Sequence, residues 1–169
     1  MAAVTTLPAA FVANTVLTAS QLNDVRGAFR VLQVVSSTQT ANIQNNTSTY
    51  VDSGLSVAIT PSSSSSKVLI IGSNSLTKNN TNASASAASR LVRTTTTISQ
   101  ISQGLLYTGT AIYNAGNDQF FYLDSPATTS ATTYKTQFAS TGNNDGVIVN
   151  VNIGSGNQTS YIVALEISA

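Results

Sequence analysis

Within Tyr50 to Thr60 the side chains alternate: Leu55, Val57 and Ile59 are apolar, and Ser56, Ala58 and Thr60 between them are small or polar. A period of two belongs to a β-strand with one face buried, because successive side chains leave the backbone on opposite faces. The same pattern returns in Thr132 to Ser140, where Tyr134, Thr136 and Phe138 share a face. It returns again in Thr159 to Ile167, with Tyr161, Val163, Leu165 and Ile167 on one side. Arg30 to Val35, Lys67 to Ile71, the second half of Ala83 to Arg93, Gln119 to Asp124 and Val147 to Ile153 add further strand candidates. KVLII, the most apolar of them, is expected to be central. Gln119–Asp124 and Thr132–Ser140 are expected to pair with each other across the Ser125, Pro126 turn.

Turn residues punctuate these runs at Pro61 with Ser62 to Ser66, at Gly72 to Asn82, at Gly142 to Gly146 and at Gly154 to Asn157. Each cluster supplies the left-handed or proline-fixed backbone that a reversal needs. Ser36 to Thr49 is polar without a clear period, and Ile98 to Tyr113 reads as a long loop with short strands. About eight short strands with no helices interleaved predict an all-β fold, an antiparallel β-sandwich of jelly-roll-like character. No period of 20 to 50 residues points to a solenoid or propeller.

The N-terminal stretch breaks this pattern. Pro8 biases Leu7 toward extended geometry, so Met1 to Val16 reads as an extended arm. Thr18 and Gln21 form a T-x-x-Q capping box, with Leu17 and Leu22 at the staple positions on either side. Leu22, Val25 and Phe29 then recur at helical spacing, giving one short helix with a single apolar face. Gly27 weakens it by about 1 kcal/mol relative to Ala, and a helix of three turns is marginal alone. It therefore needs a surface to cover it. The expected organisation is an arm and helix over residues 1–30 and a β-sandwich over residues 31–169.

Charge and reactive residues exclude most chemistry. Only 8% of the residues are charged, against roughly 25% in average soluble proteins. Ser, Thr, Asn and Gln must therefore cover the surface. Seven basic and six acidic residues are scattered singly, whereas nucleic-acid binding needs clustered Lys and Arg to displace counterions. The chain has no Cys and no His. Disulfides, thiolate chemistry and Cys-based metal sites are thereby removed, as are Ser-His-Asp and Cys-His catalysis. No run of 18 apolar residues predicts membrane insertion, and the first residues lack the n- and h-regions of a secretory signal.

Among the carboxylates Asp24, Asp52, Asp118, Asp124, Asp145 and Glu166, a catalytic pair is the remaining acid–base possibility. A structural reading is favoured: Asp124 sits before Ser125 and Pro126, Asp145 lies in an Asn-Asn-Asp-Gly turn, and Asp24 is on the helix surface. The oxygen-rich segments Asn117, Asp118 and Asn143, Asn144, Asp145 lack EF-hand spacing and read as turns. No metal and no cofactor is expected. The Asn-x-Ser/Thr sequons at Asn45, Asn46, Asn79, Asn82 and Asn157 are what chance supplies in so Asn-, Ser- and Thr-rich a chain. Tyr107, Tyr113 and Tyr122 can form an aromatic glycan-binding surface; the alternative packs Tyr122 in the sheet and has Tyr107 and Tyr113 pin a loop. Arg90 and Arg93 read as a solvated strand edge.

Three stretches carry a resemblance. FVANTVLTASQLNDVRGAFRVLQVV resembles the N-terminal attachment segments of tailed-bacteriophage fibre and related virion proteins. GLSVAITPSSSSSKVLI and YLDSPATTSATTYKTQF resemble strand-turn-strand units of their β-rich domains. The resemblance implies a non-enzymatic structural protein on the outer surface of a virion tail or head. Its implied partners are itself, as a homotrimer, other phage virion proteins, and a host cell-surface glycan. A short tail fibre or receptor-binding protein and a capsid decoration protein both fit, and a glycan-binding surface module is a third reading. Coiled-coil heptads and a long shaft are absent from the sequence, unlike long fibres. Leu7, Phe11, Val16, Leu17, Leu22, Val25 and Phe29 are the expected assembly contacts, and Tyr107 and Tyr113 the expected receptor contacts.

Overall fold

The computed structural model describes residues 16, 18, 19, 30–79, 83–142, 146–150 and 157–168. Ten strands follow in order: β1 (Val31–Gln39), β2 (Ile43–Asn45), β3 (Val51–Ile59), β4 (Lys67–Lys78), β5 (Ala85–Arg93), β6 (Thr96–Leu105), β7 (Asn114–Asp124), β8 (Thr132–Gly142), β9 (Val147–Val149) and β10 (Ser160–Ile167). Thr18 lies outside helix and Ala19 is helical. Of the expected assembly residues, only Val16 is described, 93% exposed; Leu7, Phe11, Leu17, Leu22, Val25 and Phe29 lie outside the described residues, as does Gln21 of the capping box.

All pairings are antiparallel, and they form two sheets. One runs β1-β10-β4-β7, with short β9 joining β4 beyond the end of β10 and β2 beside β9. The other runs β3-β8-β5-β6. The pairs β5·β6, β4·β7, β3·β8 and β1·β10 are nested about the β5–β6 hairpin. A β-ribbon folded over itself in this way, with alternate pairs falling in alternate sheets, is a jelly roll.

Two apolar clusters fill the space between the sheets. Leu55, Val57, Ile59, Val68, Ile70, Leu91, Phe120, Tyr134, Ile162 and Ala164 form the larger. Leu76, Ala87, Phe138, Val147 and Val149 form the smaller, toward the other end of β4. Each large aliphatic side chain so buried contributes about 1.5–3 kcal/mol over its exposed state. Gly72 lets Phe120 lie across β4: a Cβ there would meet Phe120 Cζ and come within 2.6 Å of the Tyr161 carbonyl.

Several expectations change. The KVLII strand continues through the turn-rich residues to Lys78, because Ser73 to Lys78 are buried and their backbone groups pair with β7 and β9. Ile98 to Leu105 belongs to a full strand, β6, and only Leu106 to Tyr113 is loop. Ser36 to Thr49 contains the end of β1 and all of β2. β7 and β8 are not partners: they lie in opposite sheets, so the Ser125, Pro126 turn crosses the sandwich instead of closing a hairpin. On β10 the face carrying Tyr161, Val163, Leu165 and Ile167 is the outer one, and Ser160, Ile162, Ala164 and Glu166 point inward.

Candidate functional site

β4 runs the length of the sandwich and gives it two ends. At one end Val31 pairs Ile167, and Ile167 pairs Lys67. Here the Arg30 amide donates to Ser168 Oγ (3.1 Å) and the Ser168 amide to the Arg30 carbonyl (2.9 Å). Arg30, where the continuously described chain begins, is therefore fixed at this end. At the other end Lys78 pairs Asn114. Twelve residues of extended chain separate these points, about 36 Å.

The far end carries the loop that joins β6 to β7. Period two from Val68 places Lys78 on the inner face of β4, and it is fully buried. Its ammonium donates to Thr108 Oγ1 (2.7 Å), the Thr110 carbonyl (3.1 Å) and the Ile112 carbonyl (3.3 Å). All three donors of the group thus go to one loop. The Ser84 amide donates to the Thr108 carbonyl (2.8 Å), and Asn114 Nδ2 to the Leu106 carbonyl (3.3 Å), closing the loop from both sides. Fixed in this way, the loop exposes Tyr107, Ile112 and Tyr113. Tyr107 and Tyr113 lie on this one loop, and Lys78 pins it together with Tyr107, whose hydroxyl donates to Ser84 Oγ (3.4 Å). Tyr122 is not with them, being half-buried on β7 against the larger core.

Between the ends the sheets are bridged by polar groups. Asp118 on β7 accepts hydrogen bonds from Ser89 Oγ and from Ser102 Oγ (2.6 Å), both in the opposite sheet. Thr136 Oγ1 donates to Asn74 Oδ1 (2.8 Å) and lies 2.6 Å from Ser53 Oγ. Arg93 crosses to Asp124 with Nη1 at 2.9 and 3.0 Å from its two oxygens, and the Tyr134 hydroxyl donates to the same carboxylate at 2.7 Å. Burial, then the bond to Asp124 and its charge, push the Tyr134 phenol far above the ordinary tyrosine range. Glu166 is buried, which raises its pKa, but hydrogen bonds from Gln33 and Ser62 outweigh that and hold it down to about 2.

These placements correct three sequence readings. Asn117 and Asp118 are consecutive strand residues, one exposed and one buried. Their side chains diverge and cannot converge on one ion. Arg90 and Arg93 sit on β5, an interior strand between β8 and β6. Arg93 is tied to Asp124, and Arg90 stacks 4.1 Å above the Tyr50 ring and donates to Gln137 Oε1. Asp124 is buried in the inter-sheet bridge and is more than the start of a proline turn.

Among the described residues the carboxylates do not assemble into a pair. Asp118 and Asp124 are six positions apart on one strand, about 20 Å. Glu166 and Asp124 flank Val68 across two strand spacings, and each is engaged by its own donors. Asp52 is a surface residue joined to Lys135 at 2.7 Å. Asp24 and the Asn143, Asn144, Asp145 segment lie outside the described residues. Among the described residues no three His, Cys, Asp or Glu side chains cluster, and no helix is long and apolar enough to cross a membrane. Of the sequons, Asn45 is buried, with Nδ2 donating to the Thr49 and Phe138 carbonyls.

No protein-family model and no curated protein matches the sequence. Among solved structures, the chain is similar to that of the infectious bursal disease virus VP2 subviral particle, with 11% identity and a TM-score of 0.45 over 80% of this chain and 32% of that one. It is similar also to that of the T13 IBDV viral particle, with 12% identity and a TM-score of 0.47 over 84% and 37%. The chain thus spans about a third of the length of those proteins. The jelly-roll assignment rests on the strand pairing itself.

Proposed function

We propose that this chain is a non-enzymatic structural protein of a phage virion, a short tail fibre or receptor-binding protein anchored by its N-terminal segment. The observation that carries this reading is polarity. The chain enters the sandwich at the Arg30 end, and the Tyr107–Tyr113 loop is displayed at the end marked by Lys78. An anchor at one end and a rigid aromatic loop at the other suit a protein that holds to a particle and reaches outward. Exposed tyrosines present an apolar ring with a polar tip, the chemistry that stacks on sugar rings. The jelly roll is used by capsid and lectin domains as well as by cupins, so the fold alone assigns no role. The N-terminal resemblance to fibre attachment segments supplies the rest. Self-association as a homotrimer and contact with other virion proteins and a host glycan belong to this reading.

Two experiments test it. Purified protein is expected to adsorb to host cells and to compete with phage adsorption, and replacing Tyr107 and Tyr113 with Ala should abolish both. Absence of adsorption and of competition by the intact protein would refute receptor binding. Immunogold labelling is expected to mark the tail, whereas labelling of the head shell would make the chain a decoration protein.

A further inference from the structure

Besides short β2, four strands form the edges of the two sheets, β1 and β7 in one and β3 and β6 in the other. Three of them are guarded. β6 meets β5 with three register shifts, and such bulges twist an edge away from an incoming strand. β1 and β3 each carry a shift of their own. Between those two, Gln39 Nε2 donates to the Ser53 carbonyl (3.1 Å) and Gln33 Nε2 to the Thr60 carbonyl (2.6 Å), so side chains occupy that opening.

β7 has none of these devices. It pairs β4 in one unbroken register from Val68–Asp124 to Lys78–Asn114, and its eleven residues include no Pro, Lys or Arg. Its two carboxylates, Asp118 and Asp124, are held inside the sandwich by Ser89, Ser102, Arg93 and Tyr134. What β7 turns to solvent is Ala115, Asn117, Gln119, Phe121 and Leu123, all uncharged, with Phe121 84% exposed. Among the described residues no hydrogen bond reaches the backbone edge of β7 that faces away from β4. A cleft of about 200 Å³ opens beside it, between Ser99, Gln100 and Ile101 of β6 and Gln119, Phe120 and Phe121 of β7. Alternate residues of a strand in an antiparallel sheet direct both N–H and C=O to one side. The free edge is thus a row of donors and acceptors about 37 Å long.

Such a row takes one kind of occupant, an extended strand. The exposed side chains of β7 carry no charge to select a charged peptide, and a formal net charge of +1 leaves copies of the chain little mutual repulsion. β7 is also complementary to itself. Turned about a two-fold axis through Gln119, two copies oppose all eleven residues. Phe121 then meets the partner's Asn117, Leu123 the partner's Ala115 and Asp124 the partner's Asn114. No carboxylate faces another, and like charges directly opposite are what would destabilise such a pair. We propose that β7 pairs antiparallel with β7 of a second copy across this two-fold axis, joining the two β1-β10-β4-β7 sheets into one continuous sheet. The contact is isologous, the same edge serving both copies. It is separate from the three-fold association of the proposed function and does not rest on that reading.

The test uses the full chain. Gln119→Lys with Phe121→Lys sets like charges along the seam at two exposed positions. Ser36→Lys with Thr38→Lys adds the same charge at exposed positions on β1, the opposite edge of the sheet. Sedimentation equilibrium is expected to find the wild type associated. The β7 variant should raise the concentration of half-association at least about tenfold, and the β1 variant should leave it unchanged. Hydrogen exchange gives a second readout. Amides of Asn114–Asp124 that face away from β4 should exchange more slowly in the wild type than in the β7 variant at equal concentration, and should be slow in the β1 variant too. A single wild-type chain at every concentration, or an assembly as tight in the β7 variant as in the wild type, would overturn the proposal. So would β7 amides that stay fast in an associated wild type, the mark of packing through a sheet face instead of an edge. A trimer that the β7 variant leaves intact would remove the two-fold seam and let the three-fold association stand.

Discussion

Replacing Glu166 with Gln tests the electrostatics of the end where Arg30 meets Ser168. Glu166 Oε1 accepts from the Ser62 amide and hydroxyl, both at 2.7 Å, and Oε2 accepts from Gln33 Nε2 at 2.7 Å. Every neighbour is a donor, so a Gln amide would set N–H groups against N–H or O–H. The carboxyl is lowered from 4.5 to about 2 in the folded chain. Between those values the folded state binds fewer protons than the unfolded state, so the stabilisation is complete above pH ~4.5 and is lost as pH falls toward ~2. At 1.36 kcal/mol per unit the gap corresponds to about 3 kcal/mol at neutral pH. Glu166→Gln should therefore lower stability by about 3 kcal/mol at pH 7, or Tm by about 6–12 °C for a chain of this size. Urea unfolding followed by circular dichroism, repeated from pH 7 to pH 2, measures the difference. It should shrink steadily below pH ~4.5. A difference that stays constant down to pH 2, or that is under about 1 kcal/mol at pH 7, would refute the assignment of the stabilisation to an ionised Glu166.

Gly72→Ala should cost about 1–3 kcal/mol, the penalty of overpacking, because its Cβ meets both Phe120 and the Tyr161 carbonyl; an unchanged urea midpoint would contradict the close approach. Lys78→Met should leave the sandwich folded but release the loop it holds, read as lost hydrogen-exchange protection confined to residues 106–113. Protection there equal to wild type would show that the ammonium is dispensable. Tyr134→Phe removes one donor from a buried carboxylate and should cost about 1–3 kcal/mol. In the wild type, ultraviolet titration should find this phenol un-ionised at pH values where exposed tyrosines have ionised, and full ionisation before unfolding would disprove its burial against Asp124.

The sequence spoke clearly where one face of a strand was apolar and the other polar. Leu55, Val57 and Ile59, and again Tyr134 and Phe138, are buried as their alternation implies. Alternation says which residues share a face and is silent on which face turns inward when both are apolar. On β10, Tyr161, Val163, Leu165 and Ile167 are the bulkier set, yet Ile162, Ala164 and Glu166 are inside. Composition misled over Gly72 to Lys78, where small polar residues that usually make turns are instead enclosed within the sandwich. Pairing was the least legible feature: neighbours in sequence, β7 and β8, diverge, and β1 finds β10 from the far end of the chain. Lys78 carried a readable signal that composition obscured, since counting by twos from Val68 puts it on the inner face. Tyr107 and Tyr113 could be grouped by sequence proximity, but no local pattern revealed that Lys78 holds their loop.

Pairing the first strand with the last has a mechanical consequence. Hydrogen bonds of an antiparallel pair lie perpendicular to the strands. Traction between the Arg30 end and the Tyr107–Tyr113 end runs along β1 and β10, so it slides one strand past the other. The rungs from Val31–Ile167 to Gln39–Ser160 then share the load together and yield together, whereas tension applied sideways at Arg30 alone would open them one after another. A domain hung by one end and pulled by the other is thus loaded along its stronger axis.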